Sequence, residues 1–241
     1  MKISLKWSLV IFLVSVSFSF VRADENLGPG PGPEGPVASE IYKSGSQRLS
    51  LEWGAGIPTR VNHFSESEKT GPMGGIQYLY SVDEFWGVGV QADYYQFGAK
   101  EHAITSDSGG VVNARSKDKA ATVELVGRYT FLPNAHLVPY LDSGLGLTYF
   151  RQTTDGEPLP GSTWTDTGTT ETRSLQNVSS VNFSYSFGAG VETHLTKNLL
   201  LGLESTWHIF GVSKVTYGTH TINVPTVSLR LGWHFGSKDA T

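Results

Sequence analysis

The chain has 241 residues, with 28 Gly, 12% aromatic residues, 17% charged residues and no Cys. The lack of Cys excludes a disulfide framework, a thiol nucleophile and a thiolate metal site, and a formal net charge of −4 argues against the basic face of a nucleic-acid binder. The body of the chain has no apolar run near the roughly 20 residues of a spanning helix, a test that says nothing about a barrel of alternating strands.

Residues 1–23 read as a secretory signal peptide. Lys2 and Lys6 form a positive start, Leu9 to Phe20 an apolar stretch, and Val21-Arg22-Ala23 a small-x-small cleavage site. Its removal takes three basic residues and no acid, so the mature chain is more acidic. Residues 24–46 follow as a periplasmic tether carrying Gly28-Pro29-Gly30-Pro31-Gly32-Pro33. That period of two is not the Gly-X-Y period of collagen, and it predicts a loose, extended segment that buries nothing.

From Gln47 onward, apolar residues recur at every second position, the period of a half-buried strand. Eight segments show it: 47–57, 73–82, 86–97, 120–131, 137–150, 180–193, 198–210 and 221–235. In 180–193, for example, Val181, Phe183, Tyr185, Phe187, Ala189 and Val191 alternate with Asn182, Ser184, Ser186, Gly188, Gly190 and Glu192. Each segment is about the 9–11 residues of a tilted strand crossing a bilayer. The connections alternate between short (81–85, 132–136, 194–197) and longer (59–72, 98–119, 151–179, 211–220). Residues 47–235 are therefore predicted to form an all-β, eight-stranded antiparallel up-and-down transmembrane β-barrel, with both termini in the periplasm and a tail at 236–241.

Alternation alone does not say which face is outside. A lipocalin-like barrel would turn the apolar face inward. The aromatic residues favour the opposite. Trp86, Tyr129, Phe131, Trp233 and Phe235 fall near one rim, and Tyr94, Tyr149, Phe183, Tyr185 and Trp207 near the other. Two aromatic girdles around a Leu/Val band are the mark of a lipid-facing surface.

The interior face then holds six acids (Glu52, Asp93, Glu124, Asp142, Glu192, Glu204) and three arginines (Arg48, Arg128, Arg230). Closure must bring the first and last strands together. Counting from the ends puts Glu52 beside Arg230 and Glu204 opposite Ser228, so an ion cluster of Glu52, Glu204 and Arg230 is expected. No metal site is expected, because no two of the seven His have ligand spacing on one strand. His63-Phe64-Ser65 has the spacing of a His-x-Ser hydrolase pair, but the strand that follows supplies no interior acid to orient it. The segment 100–119 carries Lys100, Arg115, Lys117 and Lys119 against Glu101, Asp107 and Asp118. It reads as a solvated loop, or as one that docks on lipopolysaccharide phosphates.

The strand Val138-Pro139-Tyr140 to Gly144-Leu145-Gly146 and the final Leu229-Arg230-Leu231-Gly232-Trp233-His234-Phe235 carry a resemblance. With the eight-segment pattern, the chain resembles the small outer-membrane β-barrel proteins of Gram-negative bacteria, the group of outer membrane proteins A, X and W. The resemblance implies residence in the cell outer membrane among its lipids and lipopolysaccharide. It also implies insertion by the barrel assembly machinery, with Trp233 and Phe235 as the insertion signal. The expectation is a monomeric, non-enzymatic barrel with a structural or surface-interaction role and no cofactor. One alternative is a narrow, porin-like channel for small or apolar solutes, using Tyr95, Phe97, Phe150 and Ile222. Another is a lipid A-modifying enzyme.

Overall fold

The computed structural model describes residues 42–59, 68–99, 101–105, 111–158, 173–212 and 221–235. The signal peptide, most of the tether, the His63-Phe64-Ser65 motif and the 236–241 tail lie outside the described residues. The strands are β1 (Gln47–Gly56), β2 (Glu68–Lys69), β3 (Gly71–Ser81), β4 (Trp86–Gln96), β5 (Gly98–Ala99) and β6 (Glu101–Thr105). They continue with β7 (Val111–Thr130), β8 (Leu137–Pro158), β9 (Arg173–His194), β10 (Leu199–Gly211) and β11 (Thr221–Phe235).

Eight of these close an antiparallel barrel, in the order β4-β3-β1-β11-β10-β9-β8-β7, with β7 pairing back onto β4. Every wall strand pairs with its chain neighbours, and closure pairs the first with the last from Gln47 opposite Phe235 to Gly56 opposite Thr226. Two of the three short turns are stabilised by their own side chains. Asp83 accepts the backbone N–H groups of Phe85 and Trp86 at 2.8 and 2.7 Å. Thr196 does the same for Asn198 and Leu199 at 3.3 and 3.1 Å. Such side-chain acceptors offer the turning backbone a partner where the ladder stops.

The apolar face is outside. Leu125 and Phe183 are 71% and 78% exposed, whereas Glu124 and Arg128 are 1% exposed, which removes the lipocalin alternative. A belt of exposed Leu, Val, Phe, Trp and Tyr surrounds the wall, the reverse of a soluble surface. Trp86 and Phe131 pack edge-on against Tyr129 at 4.9 and 4.8 Å between ring centroids, forming part of the girdle at the short-turn end.

Two expectations need correction. First, 98–119 and 151–179 are not simply loops. β7, β8 and β9 run for 20, 22 and 22 residues, about twice a bilayer crossing, and β6 pairs with the far end of β7. Three wall strands thus continue as a sheet well past the other five. Second, the end of the tether is not free. Gly45 takes a φ of +85°, which glycine adopts without strain, and closes a tight turn in which the Ser46 N–H bonds the Lys43 carbonyl at 3.1 Å. The Gly45 N–H then bonds the Ser81 carbonyl at 2.8 Å, and Tyr42 is buried against Val138 and Leu200.

Candidate functional site

The interior is packed by two layers, and a basic strip lies outside the rim. The lower layer, toward the short turns, is ionic. Arg230 faces Glu52 across the β1–β11 pair and Gly202 across the β10–β11 pair. Its Nη2 lies 2.7 Å from Glu204 Oε2 and 3.1 Å from Glu52 Oε2, and its Nη1 lies 3.3 Å from Asp142 Oδ2. Ser228 holds the other oxygen of Glu52 at 2.5 Å, while Tyr140 and Thr206 each donate to Glu204 at 2.7 Å.

Arg128, an interior arginine left out of the expected cluster, contacts as many carboxylates as Arg230: Asp142, Glu192 and, at 3.7 Å, Glu204. It sits opposite Asp142 across the β7–β8 hairpin and grips that carboxylate with two bonds, from Nε at 2.7 Å and from Nη2 at 2.6 Å. Its Nη1 reaches Glu192 at 3.1 Å, and its guanidinium lies 3.7 Å over the ring of Tyr140. Glu192 also pairs with Arg48. A fork of donors matching a planar carboxylate is the arrangement that gives Arg its strongest contacts. The pairing was countable in principle, because the β7–β8 turn is short.

Asp93 and Glu124 lie higher, away from the arginines. Gln91 and Thr122 donate to Asp93 at 2.9 and 3.4 Å, and Ser184 and Ser186 donate to Glu124 at 3.0 and 2.5 Å. Above them, Tyr95 bonds His208 at 3.0 Å and begins the second layer. Met73, Tyr95, Phe97, Phe150, Phe210 and Ile222 meet there, each at most 5% exposed. The four residues considered for an apolar channel are all in this cluster, packed against one another.

Tyr42 closes the ionic layer from below. Its hydroxyl donates to Glu192 at 2.6 Å, and its ring meets His194 edge-on at 5.8 Å. Burial pushes the phenol well above the ordinary tyrosine range, and the Glu192 carboxylate adds to that push. The folded state therefore holds this proton more tightly than the unfolded chain. The stabilisation is complete below the ordinary tyrosine pKa of about 10 and is lost as pH rises through the higher folded value. Tyr42→Phe is expected to lower stability by roughly 1.5–3 kcal/mol, the range for a hydrogen bond to a charged acceptor. It should also flatten the loss of melting temperature between neutral and strongly alkaline pH. A variant with the same alkaline profile as wild type would contradict this.

The basic strip lies on the outward face of the β7–β8 extension. Ser116 and Asp118 point inward and are buried, while Arg115, Lys117 and Lys119 are exposed. Lys117 lies 3.6 Å from Asp155. Lys119 stands directly opposite Arg151, whose Nε donates to Asn177 at 3.2 Å. Among the described residues no carboxylate pairs with Lys119 or Arg151. Both lie one pleat beyond the girdle, where Tyr94, Ala121 and Tyr149 sit side by side.

Trp233 and Phe235 occupy the end of β11 on the outward face, 40% and 44% exposed. They are not in contact with the ion cluster, which faces inward.

A closed wall with an apolar exterior, aromatic girdles and an interior filled by ions and rings defines a transmembrane barrel of the outer membrane. Residues 37–235 match the family of the outer membrane protein beta-barrel domain, and the chain belongs to that family. The N-terminal barrel domain of Pseudomonas aeruginosa OprF is 15% identical, with a TM-score of 0.42, 80% of this chain and 98% of that one being covered. The attachment invasion locus protein Ail of Yersinia pestis is 14% identical, with a TM-score of 0.41 and coverage of 80% and 99%. OprG of Pseudomonas aeruginosa is 15% identical, with a TM-score of 0.42 and coverage of 82% and 99%. No curated protein matches the chain. The family places this protein in the cell outer membrane.

Proposed function

We propose that this is a non-catalytic, sealed barrel that works through its outer surface by docking on lipopolysaccharide. In this reading the short turns and Tyr42 face the periplasm, and the β7–β9 extension projects outward from the cell. Residues 1–23 direct export, residues preceding Tyr42 tether the barrel on its periplasmic side, and Trp233 and Phe235 are read by the assembly machinery.

The observation that carries the reading is the pairing of Lys119 with Arg151. Like charges directly opposite on adjacent strands destabilise a sheet. Here they stand one pleat above the aromatic girdle, the depth at which the anionic groups of an outer-leaflet lipid lie. A phosphate between them would turn repulsion into two charge-assisted contacts. Each cation near an anionic lipid surface contributes about 1 kcal/mol, so Lys119→Gln with Arg151→Gln is expected to weaken lipopolysaccharide binding roughly 30-fold. The measurement is titration of the detergent-purified barrel with lipopolysaccharide. Undiminished affinity in the double variant would overturn the proposal.

A further inference from the structure

The outer girdle has a gap directly beneath the Lys119–Arg151 pair. On β4, β7 and β8 the outward residues at that level are Tyr94, Ala121 and Tyr149, paired in register. Tyr94 and Tyr149 are 46% and 45% exposed, and Ala121 between them carries only a methyl group. Neighbouring strands lie roughly 4.8 Å apart, so the two tyrosines stem from points roughly 9.6 Å apart. That is about twice the 4.5 Å closest spacing of ring centroids in aromatic pairs, so one flat ring fits between them. Lys119 stands two residues further along β7, roughly 7 Å on. It lies between Gln96 on β4 and Arg151 on β8, and the ladder continues from Arg151 to Ser179 on β9. A second gap interrupts the same row at Gly74, between Trp53 and Tyr94. Two residues beyond that gap stand Ala55, Pro72 and Gln96, none of them charged.

We infer that the gap between Tyr94 and Tyr149 seats the phosphorylated sugar ring of the lipopolysaccharide molecule whose phosphate the Lys119–Arg151 pair receives. The inference rests on the docking proposed above and names the part of the ligand that the barrel selects. Three observations favour a sugar ring. The gap lies in the girdle, at headgroup depth, and not in the Leu/Val belt where acyl chains run. It lies next to the cation pair, and in a sugar phosphate the ring is the group bonded directly to the phosphate. A glycerophospholipid has a flexible glycerol at that place, with no flat face for a tyrosine to cover. The walls also suit a sugar, which presents C–H faces and a rim of hydroxyls. Tyrosine meets both, with an apolar ring face and a polar tip. The Gly74 gap has aromatic walls too, but no cation beside it to hold the phosphate. Of the two gaps, only the one at Ala121 combines the two contacts.

The test fills each gap in turn and leaves both cations in place. Ala121→Phe closes the first gap and Gly74→Phe the second, where a Cβ would make only an ordinary 3.6 Å contact with the Glu52 carbonyl oxygen. The full-length protein in detergent is titrated with lipopolysaccharide and, separately, with short-chain phosphatidylglycerol, which carries a phosphate but no sugar ring. A shift in gel mobility on boiling confirms that each variant is folded. Ala121→Phe should weaken lipopolysaccharide binding roughly tenfold, the loss of two ring contacts, and leave phosphatidylglycerol binding within about twofold. Gly74→Phe should change neither. Tyr94→Leu with Tyr149→Leu removes the walls without adding bulk and should show the same selective loss, so the test stands even if Ala121→Phe does not fold. Unchanged lipopolysaccharide affinity in the folded gap variants, equal losses for both ligands, or an equal effect of Gly74→Phe would each overturn the inference. The Lys119→Gln with Arg151→Gln variant separates the two failures. If it loses lipopolysaccharide while the gap variants do not, the ring site fails and the docking stands. If it binds as wild type does, the docking itself fails.

Discussion

Arg128→Met is expected to destabilise the barrel by about 3–5 kcal/mol, the usual cost of removing one partner from a buried ion pair. The substitution leaves the Asp142 carboxylate without its two-bond partner, takes one cation from Glu192, and removes the ring contact with Tyr140. Arg230→Met should cost nearly as much, since it strands Glu52 and takes from Glu204 the nearer of its two cations. Arg115→Met, on the exposed face, should stay within about 0.5 kcal/mol. Adding Glu52→Gln and Glu204→Gln to Arg230→Met should recover part of the loss, because neutral amides no longer need a cation. Thermal and urea unfolding in detergent would read all four proteins. Equal melting temperatures for Arg230→Met and Arg115→Met, or no recovery in the triple variant, would contradict a cluster held by its pairing.

The second large effect concerns a glycine of the wall. Gly146 faces inward on β8, opposite Glu124 and Ser184. A Cβ at that position would lie 2.0 Å from the Val123 carbonyl oxygen and 2.6 Å from Glu124 Cα. Both are backbone atoms of β7, which cannot rotate aside as a side chain could. Gly146→Ala should therefore push β7 and β8 apart, at a cost of about 1–3 kcal/mol for overpacking. Gly127 is the control, because a Cβ there would meet nothing within 4 Å. Gly127→Ala should be neutral or stabilise by up to about 1 kcal/mol, as expected when a strand glycine gains a side chain in open space. Similar behaviour of the two variants would contradict the close approach of the strands at Gly146.

These two sites also show what could be read in the sequence and what could not. The eight crossings were legible because lipid outside and polar packing inside impose a period of two on every strand. The same physics hid the continuation of β7, β8 and β9. Past the girdle both faces of these strands are polar, with Arg115, Lys117 and Lys119 outside and Ser116 and Asp118 inside. The hydrophobic alternation stops there although the hydrogen-bonded ladder does not. Arg128 and Asp142 were countable across a short turn, but a sequence gives no sign that Arg128 and Arg230 share Asp142 and Glu204 in one cluster. Tyr42 was hidden differently: it follows a Gly- and Pro-rich stretch, and a single aromatic residue there carries no periodicity.

The proposed surface role requires that the ionic layer and Tyr42 below and the apolar cluster above seal the interior. Conductance of the full-length protein in a planar bilayer tests it most directly. A sealed interior gives a current indistinguishable from that of the bare bilayer under an applied potential. Reproducible stepwise openings of the wild-type protein would contradict it.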